Sequence, residues 1–156
     1  MNKLTDLRNH LLASIPALAA GPDRLLTFVE DGKIKFWDGE NLSHSMDMVA
    51  KIIVTDWRDS PDAIILPILI WMHTREPGRN PEEAIRFEAE IVSADSVDLA
   101  ISLDLTERVI VYNEPGGYRT EHVLPPAPAQ MNPDAELRID ATGPGGDYSY
   151  PDANNG

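Results

Sequence analysis

Residues 85–105 read IRFEAEIVSADSVDLAISLDL, two runs of apolar–polar alternation separated by a few small and polar residues. Ile85, Phe87, Ala89 and Ile91 alternate with Arg86, Glu88 and Glu90. Val97, Leu99, Ile101, Leu103 and Leu105 then alternate with Asp98, Ala100, Ser102, Asp104 and Thr106. A period of two with one apolar and one polar side marks half-buried strands, and the short spacer makes them a hairpin. Keeping both apolar sets on one face requires paired residue numbers with an even sum, because a one-residue slip inverts a strand. One such register sets Glu90 against Asp98, like against like. The next sets Arg86 against Asp104 and leaves Ala94-Asp95-Ser96 as the loop. Cross-strand charge pairs are worth roughly 0.2–1 kcal/mol in either direction, which predicts the second register.

The second strand continues through Val109, Ile110 and Val111, with a bulge or bend expected near Glu107-Arg108, where strict alternation lapses. After Asn113 the composition changes: residues 114–156 hold more than half of the 13 prolines, six glycines and few large apolar groups. Such a segment buries too little surface to offset its ordering entropy. The expected organisation is a folded domain over residues 1–113 and a flexible, acidic Pro/Gly-rich tail over 114–156, with at most a short strand at Leu137–Ile139.

Upstream, Leu4, Leu7, Leu11 and Ile15, widened by Leu12, give an amphipathic helix over Asn2–Ser14, which Pro16 ends. Residues 17–20 suit one further turn. Arg24–Glu30 and Lys33–Trp37 read as short strands, with Asp31-Gly32 suited to a type I′ hairpin turn between them. His44–Trp57 is a longer strand with one wholly apolar face (Met46, Met48, Ala50, Ile52, Val54), as inside a sheet. Ser60-Pro61 opens a helix reaching about Arg75. It is apolar nearly all round and so expected to be heavily buried, with a kink or restart at Pro67. The pattern is α+β: one mostly antiparallel sheet packed with two helices.

Composition narrows the function. The chain of 156 residues carries a formal charge of −13, which repels nucleic acid and anionic membranes, and its longest basic cluster (Arg75 to Arg79) holds two arginines. Cysteine is absent, which excludes disulfides and thiolate metal sites and suits a reducing cytoplasm. Asp6, Arg8, Asn9 and His10 interrupt the N-terminal apolar run, against a secretory signal, and Ala63–Met72 falls short of a bilayer span. No membrane association, specific nucleic-acid binding or cofactor is expected. His10, His44, His73 and His122 lie in different elements without metal-ligand spacing, and the glycine clusters lack phosphate-binding signatures. The acids Glu88, Glu90, Asp98 and Asp104 share the wet face of the hairpin. Desolvated, they would suit acid–base hydrolysis; solvated, they are a polar strand face, which is the expectation. Trp71 reads as core. Trp37 and Trp57 end strands, where they suit either an interface anchor or loop packing.

Five segments carry a family resemblance: residues 1–18 (MNKLTDLRNHLLASIPAL), Pro22–Leu25, Val54–Trp57, Arg86–Ile91 and Leu105–Val109. Together with the Pro-containing helix ending in Trp71, they are similar, in unbroken order to about residue 113, to the tail completion protein R of P2-like contractile-tailed phages. The resemblance implies a tail-terminator-like α+β subunit with no catalytic residues. It also implies a ring of its own copies, usually six, that caps the tail tube or sheath of the virion and meets the head connector. Trp37, Trp57, Arg58, Arg86 and Arg108 are the expected interface residues, as aromatic or basic groups at strand ends or on polar faces of an acidic protein. The rival readings are a head–tail adaptor, a carboxylate-dependent hydrolase, and a peptide-binding module that uses a sheet edge.

Overall fold

A computed structural model describes residues 1–125. Helix α1 (Asn2–Ser14) buries Leu7 and Leu11 and ends where Ile15, preceding Pro16, turns extended at φ −121°. A short helix α2 (Pro16–Ala20) and one 3-10 turn (Pro22–Arg24) lead into strand β1 (Leu25–Phe36). Strand β2 (His44–Trp57) and helix α3 (Asp62–Arg75) follow, then β3 (Ile85–Ile91), β4 (Val97–Glu114) and β5 (Gly117–Val123).

All strand pairs are antiparallel, in the order β1-β2-β4-β3, with β5 pairing the distal half of β4 on the side that β3 occupies lower down. The apolar face predicted for β2 is the core: Met48, Ala50, Ile52 and Val54 lie beside Leu99, Ile101, Leu103 and Leu105 of β4, under Leu7 and Leu11 of α1 and Ile64, Ile68 and Trp71 of α3. Burying each large side chain of this set contributes roughly 1.5–3 kcal/mol. Pro67 does not split α3: the helix runs through it from Asp62 to Arg75, with the proline ring fully buried. Ser60 Oγ accepts the Asp62 amide at 3.3 Å at the start of this helix.

Four local expectations are corrected. First, Asp31-Gly32 is not a hairpin turn. β1 runs through it, paired with β2 along its length, and the irregularity between Val29 and Asp31 makes Glu30 the extra residue of a bulge. The fourteen-residue β2 offers an unbroken partner, and the reversal comes instead at residues 37–43. Second, β3 pairs β4 in the register not chosen, with Arg86 opposite Ser102 and Glu90 opposite Asp98. The turn is closed by Val92 and Ser93 amides on Ser96 O (3.1 and 3.2 Å). Asp98 turns to accept the Asp56 amide at 2.8 Å, while Arg86 reaches Asp104 diagonally through two hydrogen bonds of 2.8 and 3.1 Å. The favourable pair forms without the register shift. Third, no bulge lies at Glu107-Arg108: β2 and β4 pair there without a shift, and Glu107 occupies a core-face position at 0% exposure. Fourth, residue 113 falls inside a hairpin, since β5 lies within the stretch assigned to the tail. The remaining tail expectations, including Leu137–Ile139, lie outside the described residues.

Candidate interaction surface

The acids of the hairpin do not form a desolvated pair. Glu88 and Glu90 are exposed on β3, Asp98 is held by the Asp56 amide, and Asp104 is neutralised by Arg86. Among the described residues no three His, Asp or Glu side chains come together as a metal site. The histidines are separate: His10 bonds Pro67 O (2.9 Å), His44 bonds Leu42 O (3.0 Å), His73 borders a surface hollow, and His122 lies beside Glu107. No helix among the described residues is long and apolar enough to cross a membrane.

The polar chemistry that does converge is buried at the junction of α1, α3 and β4. The Lys3 backbone amide donates to Glu107 Oε1 at 2.8 Å, and its ammonium donates to Glu76 Oε1, Thr106 O and Arg75 O. Arg79 Nε donates to Glu76 Oε2 (3.1 Å), and Arg79 also reaches Thr106 Oγ1, which in turn donates to Asp47 Oδ1 at 2.8 Å. Lys35 pairs with Asp47 and holds that carboxyl below its usual range, with Thr106 assisting against partial burial. On the far side of Glu107, its Oε2 lies 3.2 Å from His122 Nδ1 of β5. Asp6 accepts from Trp71 Nε1 (2.8 Å) and Arg75 Nε (3.2 Å), fastening α1 to α3. Glu76 thus meets two cations, while Glu107 takes the Lys3 amide and stands beside His122, an arrangement suited to holding the N-terminus and the β4–β5 hairpin on the body. The one sequence signal for it was an acid at an apolar position of a strand.

The expected interface residues separate. Trp57 is 2% exposed with Nε1 bonded to Ser60 O, so it serves the core and not a surface. Arg58 is exposed beside Asp56, Arg108 is exposed on distal β4, and Arg86 is bound to Asp104 at the rim of β3. Trp37 is 70% exposed and stands with Ile34, Phe36 and Leu42 on the distal β1–β2 arm, beyond the helices. A second apolar strip went unpredicted: Phe87, Ile91 and Val92 are 67%, 80% and 56% exposed, because the helices that cover Leu99 and Ile101 do not extend over β3. Isolated exposed apolar residues are ordinary, and two strips on opposite edges of one sheet are the candidate contact surfaces.

The family model of the P2 phage tail completion protein R (GpR) matches residues 1–128. The chain is 31% identical over 145 residues to the tail completion protein R of Escherichia phage P2, covering 89% of this chain and 94% of that relative. No solved structure matches it.

Proposed function

The chain belongs to the P2 phage tail completion protein R family, structural proteins of the virion tail and not enzymes, and from that premise we propose that it closes the finished tail as a ring of its own copies. The ring, of six copies, seats on the tail tube or sheath after assembly in the bacterial cytoplasm and presents the tail to the head connector. The observation that carries this reading is the pair of exposed apolar strips, on the β1–β2 arm and on β3, at opposite edges of one sheet. Two different patches on one subunit make head-to-tail contacts, which form a ring where the rotation between successive copies closes. The formal charge of −13 per copy gives the ring an acidic lumen through which DNA slides without sticking.

The test is the scattering mass of the purified chain, alone and with tail tubes, followed by imaging of the tube ends. A ring in solution or on the tube supports the proposal. A chain that ignores tubes and binds portal-bearing heads is a head–tail adaptor instead. Tight duplex-DNA binding at moderate salt overturns the acidic-lumen reading.

A further inference from the structure

The two strips are complementary, and we propose that they bind each other between copies: the distal edge of β1 of one copy adds to the free edge of β3 of the next. This deepens the ring reading and rests on it. Among the described residues β1 and β3 are the outermost strands of the order β1-β2-β4-β3, so each carries a row of backbone groups with no described strand beside it. From the antiparallel pairings, β1 runs with β4 and against β3. Copies placed side by side with their helices on the same side therefore meet as an antiparallel pair.

The side chains match as well. Past the bulge, Ile34 and Phe36 lie opposite Met46 and His44, on the helix-bearing side, while Lys33 and Lys35 lie opposite Asp47 and Ser45, on the open side. On β3, Phe87, Ala89 and Ile91 take the helix-bearing side, and Glu88 and Glu90 the open one. Two lysines alternating with two apolar residues thus face two glutamates alternating with three. One register satisfies both faces: Phe36 with Phe87, Lys35 with Glu88, Ile34 with Ala89, and Lys33 with Glu90. It also carries Trp37 to Arg86, an aromatic face to a guanidinium. Beside Ile85, a hollow of about 490 Å³ lined by Leu69, Met72 and Ala84 extends the apolar seat for Phe36. The occupant is a second copy because the basic and acidic halves of the pattern are on the same chain. Ala89 lies level with Leu99, and Ile34 with Glu107, so successive copies are staggered and their strands inclined to the ring axis, as in a closed barrel.

The test uses two full-length variants, Lys33→Glu/Lys35→Glu and Glu88→Lys/Glu90→Lys, and their equimolar mixture. Assembly on tail tubes and in solution is read by scattering mass and imaging, with circular dichroism to confirm folding. All four positions are exposed, so the chains fold. Each variant alone sets like charges opposite one another at every junction and should assemble at least about tenfold more weakly. The mixture restores opposite charges if the two chains alternate, and rings return. Rings by the native chain that neither variant weakens overturn this surface and leave the ring reading standing. Variants that fail separately and also fail when mixed overturn it too. A native chain that forms no ring, with or without tubes, overturns both.

Discussion

Substituting Lys3→Met removes the ammonium at the centre of the buried network. The Lys3 and Glu76 side chains are 5% and 4% exposed, so the variant leaves a carboxylate in a place water does not reach. Removing one partner of a buried pair costs about 3–5 kcal/mol, because the remaining charge keeps its desolvation penalty. Arg79 still donates to Glu76 Oε2 at 3.1 Å, which places the expected loss near the low end, about 3 kcal/mol. A domain with total stability of about 5–15 kcal/mol still folds. With a urea slope of about 1.5–2 kcal/mol/M, the unfolding midpoint drops by about 1.5–2 M. The double variant Lys3→Met/Glu76→Gln removes the stranded charge while keeping an acceptor for the Thr106 amide, now 3.1 Å from Glu76 Oε1. It should be more stable than Lys3→Met by about 1 kcal/mol or more. The reasoning fails if Lys3→Met costs under about 1 kcal/mol at an unchanged slope, as an exposed pair would, or if the two single losses simply add.

Leu103→Ala, at a fully buried position in the middle of β4, should cost about 2–5 kcal/mol in the same urea assay. Phe87→Ser, at a side chain 67% exposed, should change folding stability by no more than about 0.5 kcal/mol while weakening ring assembly, and a large folding loss would show the residue to be core. The Arg86–Asp104 pair is exposed, so a double-mutant cycle should give a coupling of about 0.2–1 kcal/mol. Asp47 titrates lower when folded than unfolded, so its stabilisation is complete above the ordinary carboxylate range and fades as pH falls through the folded value. Native protein should exceed Asp47→Asn by about 0.5 kcal/mol near neutral pH, solvent screening keeping the figure small, and the gap should close on acidification below pH ~4. A gap that widens with acid would reverse the sign of the argument.

The amphipathic spacing of Leu4, Leu7 and Leu11, the stop at Pro16 and the alternation of β2, β3 and β4 determined the helices, the strands and the core face of the sheet, because these depend on local period and local sterics. The family was legible too, in short segments that run in order along the chain. Only the tertiary structure decided which neighbours those elements met. A long partner strand turned Asp31-Gly32 from a reversal into the far side of a bulge, and a diagonal reach by Arg86 made the expected register unnecessary. Lys3, arriving from 104 residues away, allowed an acid at a core position of β4, and Ser60 drew Trp57 inward. The helices also end short of β3 and of the distal β1–β2 arm, and so leave bare the apolar strips on which the proposed ring depends. Period and propensity act within a few residues. Pairing, burial and exposure are set by groups far apart in the chain, whose meeting depends on the whole fold.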